Sequence, residues 1–459
     1  MEWPLAAAVV VVVVAVVVVA AGPARADGAF PDGQSIIVPA DRPDEILLAT
    51  NFGVLASEDA GASWLWSCEQ PANGYGRLYQ MGPAPAHRLY AVANGKLVFS
   101  DDDACGWQVA GGALGGELCE DAFVDPTDGT RVLAAGLASG AAGAVYNVLE
   151  SIDGGATFAR TLYTGAPGDL VTGLEIAASD PMTIDLSLAK GTGAALARSS
   201  DGGATWQIAD LTTALGGGQV RIVAIDPVDS DRVWLRWLGA DGDALALATH
   251  GGATIALPLF FEGGVLTAFA RTATGTLLVA GTLPGGPVLF RSTDDGATFV
   301  ALAAPPHILA LAERAGTVYA AIDTAYERFG EATSTDQATT WQPGLAFTSV
   351  AAIAPCLKGV CQTDCAARAR QKQWPAAVCA SDVLVSEPID AGVIDTGLSD
   401  AQVVGPLRDA SAVVPIDAGD TPRIPLNGCS CAAMPGWGSA PWALLLGAAL
   451  LSCQRRRRS

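Results

Sequence analysis

Charged side chains are scarce in this chain of 459 residues: Asp, Glu, Lys and Arg make up 16% of it, whereas 50% of the residues are hydrophobic. This composition excludes a chain that is disordered throughout, because disorder requires few apolar residues and much charge. Basic residues are the scarcer class, since 26 Lys and Arg stand against 47 Asp and Glu and the formal net charge is −21. The acidity argues against nucleic acid as a partner.

Motifs of common hydrolases and nucleotide-binding enzymes are also missing. The sequence has no GxSxG elbow, no HExxH zinc motif and no phosphate-binding loop. It has only three histidines, His87, His250 and His307, and none lies in a context that supports a Ser-His-Asp arrangement. We therefore predict neither a cofactor nor a metal site.

The N-terminus reads as an export signal. Leu5–Ala21 contains only Leu, Ala and Val, and it is followed by the small-residue pattern Ala24-Arg25-Ala26. This order predicts a signal peptide over residues 1–26 that is cut after Ala26. Because Met1-Glu2-Trp3 carries no Lys or Arg, an uncleaved N-terminal anchor remains the alternative.

A motif of eight residues recurs through the middle of the chain, and we call each copy a box. The clearest box is Ser-Ser-Asp-Gly-Gly-Ala-Thr-Trp at residues 199–206. Six boxes keep the central aspartate, at Asp59, Asp102, Asp153, Asp201, Asp294 and Asp336. His250 takes this place in a seventh box, and in the second box Ala104 and Gly106 replace the expected Gly and Thr. The boxes are 42 to 51 residues apart, about one four-stranded sheet, which predicts an all-β, seven-bladed β-propeller over residues 27–355.

The boxes resemble the Asp-box (BNR) repeat of sialidases, other glycosidases and several non-enzymatic propellers, and the resemblance covers roughly residues 30–350. It implies a structural role. Gly supplies the positive φ of a tight hairpin, and the Asp and Ser or Thr side chains bond to N–H groups of the turn. We expect the final aromatic residue to pack between neighbouring sheets. Calcium binding by these aspartates is disfavoured, because no Glu completes an EF-hand-like loop.

The resemblance does not extend to the sialidase active site. That family uses three arginines, a Tyr–Glu pair, an acidic Asp and an Arg-Ile-Pro motif before the first repeat. Here the only Arg-Ile-Pro, Arg423-Ile424-Pro425, follows the last box, and Arg42 is the only candidate arginine ahead of the first box. We therefore predict that the chain is not a sialidase.

Two functions remain open. The first is non-enzymatic binding or adhesion, with an extracellular glycan or protein held at the propeller mouth. The second is a secreted glycoside hydrolase that uses two carboxylates, for which the candidates are Glu175, Asp185, Asp210, Asp323 and Glu327. Two acids about 5–10 Å apart across the mouth would favour the hydrolase. A flat or apolar mouth would favour binding.

Cysteines fall into three groups, and an exported chain is expected to use them in disulfides. Cys68, Cys105 and Cys119 should supply one pair and one leftover thiol. We expect two disulfides within a Cys-rich segment, residues 356–380, formed by Cys356, Cys361, Cys365 and Cys379. Zinc is disfavoured there, because paired C-x-x-C knuckles are lacking.

The remaining residues predict a tether. Residues 381–428 are acidic and without aromatic residues, so we expect a disordered stalk. Residues 429–459 contain Cys429 and Cys431, an apolar stretch over Trp437–Cys453 and four final arginines. This order resembles the MYXO-CTERM sorting tag of myxobacteria. The resemblance implies a transmembrane helix, processing near the cysteines and display at the cell surface or outer membrane, with a plain single-span anchor as the alternative.

Overall fold

The structure, a computed structural model, describes residues 33–72, 76–140 and 143–380. The predicted signal peptide, stalk and sorting tag, with Ala26, Cys429 and Cys431, lie outside the described residues. The predicted seven-bladed β-propeller is confirmed: seven sheets each contain four antiparallel strands that follow one another in sequence.

The first three blades span residues 33–164. Blade 1 contains β1 (Gly33–Ile37), β2 (Ile46–Thr50), β3 (Gly53–Ser57) and β4 (Leu65–Ser67); blade 2 contains β5 (Gly76–Met81), β6 (Leu89–Ala93), β7 (Lys96–Ser100) and β8 (Gln108–Val109). Blade 3 follows the short β9 (Gly111–Gly112) and contains β10 (Leu118–Val124), β11 (Val132–Gly140), β12 (Gly143–Ser151) and, after the short β13 (Thr157–Phe158), β14 (Arg160–Thr164). The two short strands pair with each other in parallel.

The last four blades span residues 169–343. Blade 4 contains β15 (Asp169–Ile176), β16 (Ile184–Lys190), β17 (Gly193–Ser199) and β18 (Gln207–Asp210); blade 5 contains β19 (Gln219–Ile225), β20 (Val233–Gly239), β21 (Gly242–Thr249) and β22 (Thr254–Glu262). Blade 6 contains β23 (Val265–Arg271), β24 (Leu277–Leu283), β25 (Gly286–Ser292) and β26 (Val300–Ala301); blade 7 contains β27 (Ile308–Arg314), β28 (Thr317–Ile322), β29 (Glu331–Ser334) and β30 (Gln342–Pro343). A further strand, β31 (Ala352–Ile353), and three helices, α1 (Thr212–Leu215), α2 (Lys358–Arg370) and α3 (Ala377–Ala380), complete the described elements.

The core lies between the blades. Every residue of β2, Ile-Leu-Leu-Ala-Thr, is buried, and Leu48 pairs with Ile36 on one side and Leu55 on the other. Continuous apolar strands are required here, because each blade packs against a neighbour on both of its faces.

Strand direction divides the loops between two sides of the propeller. Within a blade, the connections from first to second strand and from third to fourth strand emerge on one side. Every box forms a third-to-fourth connection, so we call this side the box face. The remaining connections, including those that lead to the next blade, emerge on the other side, which we call the mouth face.

The six boxes with a central aspartate share one hydrogen-bond pattern, except that the second lacks the hydroxyl bond because Gly106 replaces Thr. In the fourth, the Ser199 hydroxyl donates to Asp201 (2.8 Å) and accepts from the Gly203 N–H (2.8 Å). Asp201 then accepts from the N–H (2.8 Å) and hydroxyl (2.6 Å) of Thr205. The hydroxyl bond, followed by the backbone bond, lowers the pKa of Asp201 to about 2. The aspartates therefore hold the turns together.

The worn box of blade 5, which carries His250, uses a substitute. His250 cannot accept these bonds, and the carboxylate of Asp231 accepts from the N–H groups of His250 (2.8 Å) and Gly251 (3.2 Å) instead. Asp231 lies in the first-to-second connection of the same blade. The turn thus keeps its carboxylate cap, which comes from another part of the chain.

The propeller ring closes between blade 7 and blade 1. Arg314, at the end of β27, is buried and donates to the carbonyl oxygens of Pro39 (3.3 Å), Arg42 (2.9 Å) and Glu45 (2.6 Å). After the last blade, β31 adds to blade 1 as a fifth strand by parallel pairing with β4. The last described part of the chain is therefore attached to the first blade.

The Cys-rich segment packs against this closure. Trp374 contacts Trp66 (4.8 Å between ring centroids) and Phe52 (5.8 Å), and the Arg368 guanidinium lies 4.7 Å from the centre of the Phe52 ring. Trp374, Trp66 and Phe52 belong to one buried cluster that includes residues of blades 7 and 1. The segment from 356 to 380 thus forms part of the propeller core instead of following it as a separate piece.

The disulfides differ from the expected pairing within groups. Two bonds join the groups, Cys68–Cys361 and Cys105–Cys356, and only Cys365–Cys379 lies within the Cys-rich segment. The expectation of two bonds inside that segment was wrong, because α2 and β31 return to blades 1 and 2. Cys119, the leftover, is buried outside the disulfides, and its thiol donates to the Asp121 carbonyl oxygen at 3.5 Å.

No helix in residues 33–72, 76–140 or 143–380 is both long and apolar enough to cross a membrane. The predicted membrane helix lies in residues 429–459, beyond this part of the chain.

Candidate functional site

The first strands of the blades surround a central channel. β10 lies between β5 and β15, and β27 lies between β23 and β1. A first strand has an unpaired edge, and side chains of the preceding blade satisfy it. The hydroxyl of Thr172 donates to the Val220 carbonyl (2.6 Å), and that of Thr267 donates to the Ile308 carbonyl (2.6 Å). These bonds hold neighbouring first strands at the same height.

The mouth-face end of the channel is apolar on three blades. Leu118, Leu170 and Val265 lie at or next to the start of β10, β15 and β23, and they are 50%, 36% and 45% exposed. We call these three residues the rim. Strand order places all three on the mouth face, and exposed apolar side chains are typical of interaction sites. The rim therefore meets the criterion that favours binding.

Further along the first strands, an ion pair joins blades 3 and 5. Arg221, on blade 5, reaches across Gly173 of blade 4 to within 3.7 Å of the Asp121 carboxylate on blade 3. A Cβ at Gly173 would lie 3.4 Å from the Arg221 side chain and 2.9 Å from the Ser187 hydroxyl. Glycine at this position thus avoids a clash with the Ser187 hydroxyl, and the Arg221 side chain would be in ordinary contact.

Glu175 lies beside this ion pair. Its carboxylate accepts from the Ile225 N–H at 2.8 Å. Burial raises the pKa of Glu175 to about 8; the bond from Ile225 opposes this rise, and the charge of Asp121 adds to it. The residue is only half-buried as a whole, but protein surrounds its carboxyl group, which disfavours the charged form. At neutral pH, Glu175 is therefore a protonated acid next to a carboxylate.

Two other candidate carboxylates have structural roles. Asp185 is fully buried and forms a bidentate pair with Arg198, with both N–O distances at 2.9 Å. Asp210 is exposed and accepts from the Thr212 N–H at 2.8 Å, at the start of α1. The hydroxyl and N–H of Thr212 lower the pKa of Asp210. Neither residue is arranged to transfer a proton at the channel.

The last two candidates lie together on blade 7, three blades from Glu175. The Glu327 carboxylate lies 3.2 Å from His307 Nδ1, and it accepts a hydrogen bond when that nitrogen carries the proton. Asp323 accepts from the Ala325 N–H at 2.8 Å. Of the five carboxylates singled out from the sequence, the structure brings Asp323 and Glu327 into one loop and leaves Glu175 in the channel. Asp121, which faces Glu175, was not among them.

The remaining histidines do not form a catalytic group. His87 Nε2 lies 2.8 Å from Asp41, in a box-face connection, and His250 occupies the worn box. Among the described residues, no three His, Cys, Asp or Glu side chains are arranged to hold a metal ion.

Similarity to known proteins is found at the level of the fold. No protein-family model matches this chain, and no curated protein matches it. A similar solved structure is a puromycin-hydrolyzing peptidase of Mycobacterium tuberculosis, with 13% identity over 72% of this chain and 55% of that one and a TM-score of 0.50.

Two further solved structures are also similar to this chain. YCF48 from Cyanidioschyzon merolae is 14% identical over 63% of this chain and 92% of its own, with a TM-score of 0.45. The GH74 xyloglucanase from Xanthomonas campestris is 15% identical over 71% and 59%, with a TM-score of 0.34. The chain thus spans less than two thirds of the xyloglucanase and of the peptidase. At such identities the similarity concerns the fold.

Proposed function

We propose that this chain is an exported, surface-displayed β-propeller that binds an extracellular ligand at the rim. The observation that carries the proposal is the exposure of Leu118, Leu170 and Val265 at one end of the channel. Each would gain about 25 cal/mol per Å² of apolar surface covered by a ligand. Their exposure contributes nothing to the propeller core, so a ligand that covers them explains their presence.

Export and display are parts of the same proposal. Three disulfides require an oxidising compartment, which supports export. Display follows from the resemblance of residues 429–459 to the MYXO-CTERM tag, and the boxes are of the Asp-box type that the sequence suggests. Fractionation of cells that produce the full chain, or a chain ending at residue 428, tests display. Loss of surface attachment on truncation is expected, and equal attachment of both would contradict it.

Binding is tested with a polysaccharide panel and a displayed random peptide library, against the purified chain. The rim variant carries Leu118→Ser, Leu170→Ser and Val265→Ser, and we expect at least about tenfold weaker binding. The control carries Ile152→Ser and Val228→Ser, which are 78% and 75% exposed on the box face. The control should retain affinity; equal losses in both variants, or no binding by the wild type, would contradict the proposal.

The glycoside hydrolase is the second candidate, and one observation favours it. Glu175, protonated at neutral pH, lies beside Asp121, as a general acid lies beside a base. The ion pair of Asp121 with Arg221 weighs against it, because the base would have to leave that contact. Hydrolysis of any member of the polysaccharide panel that Glu175→Gln abolishes would establish the enzyme. Binding without hydrolysis would reject the hydrolase and support the binding protein.

A further inference from the structure

The second-to-third connection of blade 7 is longer than its counterparts. In blades 1, 2, 4, 5 and 6, two residues join these strands, as at Asn51 and Phe52 in blade 1. In blade 7 the connection runs from 323 to 330, eight residues. Two residues suffice to turn the chain, so the additional ones have another use. They emerge on the mouth face.

This insertion presents one aromatic ring to solvent. Tyr326 is 68% exposed and belongs to none of the buried clusters of the described blades. One face of its ring stacks on His307, with 4.1 Å between ring centroids and 11° between planes. The other face is therefore available for contact. An exposed tyrosine that packs against a single side chain does little for the stability of the propeller.

The ring is held in place by the loop beneath it. The N–H groups of Tyr326 (3.3 Å) and Glu327 (3.0 Å) donate to the Asp323 carbonyl, and the Asp323 N–H donates to the His307 carbonyl (2.9 Å). Glu327 fixes the His307 ring from the side. These bonds fix the backbone around Tyr326, and the stack on His307 orients its ring. Such preorganisation reduces the entropic cost of binding.

His307, on which Tyr326 stacks, lies level with the rim. His307 immediately precedes Ile308, whose carbonyl accepts from Thr267, two residues after the rim residue Val265. A ligand in contact with Val265 can therefore extend across the boundary between blades 6 and 7 to Tyr326. The insertion enlarges the same mouth instead of forming a separate site.

We propose that Tyr326 is a stacking platform for a ring of a neutral sugar, an inference that rests on the proposed function. A sugar ring offers a flat face of C–H groups to the open side of the tyrosine, and its hydroxyls donate to carboxylates. Asp323 and Glu327 supply carboxylates in the same loop. Acidic sugars are disfavoured by these carboxylates and by the formal net charge of −21. A quaternary ammonium ion is less favoured, because it prefers several aromatic rings around it and this loop exposes one.

Calorimetry with the full-length chain and linear hexamers of glucose, xylose and mannose tests the platform. We expect Tyr326→Ala to weaken binding about tenfold and Tyr326→Phe to stay within about twofold, because the phenylalanine keeps the ring. Val300→Ala, an exposed position on the outer strand of blade 6, is the control and should bind as the wild type does. Thermal melts establish that all variants are folded.

Three results would overturn the platform: no hexamer binding by the wild type, binding that Tyr326→Ala leaves intact, or choline binding that depends on Tyr326. The rim variant separates this inference from the proposed function. Retained hexamer binding in the rim variant, together with loss in Tyr326→Ala, would support the platform and reject the rim. A ligand lost in the rim variant but kept by Tyr326→Ala would support the rim and reject the platform.

Discussion

Cys105, within the second box, is disulfide-bonded to Cys356, which follows the last blade and lies 251 residues further along the chain. Cys68–Cys361 forms a second such link, with a separation of 293 residues. Together with the pairing of β31 and β4, these bonds fasten the end of the propeller to its first two blades. The ring is thus closed covalently at its outer edge.

The two long disulfides should stabilise the fold non-additively. When Cys68–Cys361 is intact, Cys105–Cys356 closes only a short loop in the unfolded chain. That loop consists of residues 68–105 and 356–361, which the first disulfide joins. A loop of that size corresponds to about 4 kcal/mol in the chain-entropy model, whereas a loop of 251 residues corresponds to about 5.5 kcal/mol. Replacing both pairs by Ser should therefore cost more than the sum of the single replacements. Urea denaturation measures all three.

The bond Cys365–Cys379 serves as the comparison, because it spans 14 residues and closes a local loop. Its replacement should cost about 3 kcal/mol and should add to the others without coupling. Strictly additive costs for the two long bonds would mean that they do not act on the same closure.

The number of blades could be predicted, because each blade carries its own turn chemistry. Ser199 and Asp201 act within five residues of Gly203, and this local pattern is readable without tertiary structure. Disulfide partners were not readable, because the return of Cys356 and Cys361 to blades 1 and 2 depends on how far the ring turns before it closes. No local pattern around Cys356 or Cys361 indicates which blade each cysteine reaches.

Residues of the candidate site could be predicted only in part. Glu175 was named as a candidate, whereas its neighbour Asp121 lies on another blade and has no local signature. Tyr326 was missed, although one signal existed: the two apolar strands of the last blade, β28 and β29, are separated by more residues than in the other blades. Strand bounds are needed to notice that irregularity.

Asp231 should be necessary for the worn box. Asp231→Ala removes the acceptor for the N–H groups of His250 and Gly251 and an ion-pair partner of Arg198. We expect a loss of about 1–2 kcal/mol in the free energy of unfolding, measured by urea denaturation.

Restoring the box provides the control for this loss. Ala248→Ser with His250→Asp, together with the Thr254 already present, restores the hydrogen-bonding side chains of a box, and Asp tolerates the positive φ of 53° at position 250. In that background, Asp231→Ala should cost less than half as much. An unchanged cost would mean that Asp231 acts through Arg198 instead of the turn.

Glu331 should make the protein less stable as pH rises. The residue is buried, and burial raises the pKa of Glu331 from 4.5 to about 7, against the lowering effect of the Leu345 N–H. Between these values the folded state binds the proton and the unfolded state does not, so the free energy of unfolding falls with pH and levels off above about 7. Glu331→Gln should remove up to about 3 kcal/mol of that fall.

Thermal melts from pH 4 to pH 8, in steps of about one pH unit, measure this effect. Glu262→Gln, at the exposed end of β22, is the matched control. The control should reproduce the wild-type profile. A profile that Glu331→Gln leaves unchanged would show that the carboxyl group is hydrated in the folded protein.

Arg314 should hold blade 7 against blade 1 independently of the disulfides. Its guanidinium supplies donors for three carbonyl oxygens of one connection in blade 1, and no neutral side chain of similar size does so. Arg314→Leu should cost about 3 kcal/mol, because the carbonyls lose their partner in a buried place, and Arg314→Lys should recover only part of this loss. Arg291→Leu removes a half-buried arginine that donates to the Gln337 carbonyl and the Thr339 hydroxyl in the last box, and it should cost less than about 1 kcal/mol. If Lys at position 314 proves as good as Arg, a single charge suffices at the closure, and the geometry of the guanidinium is not what joins the two blades.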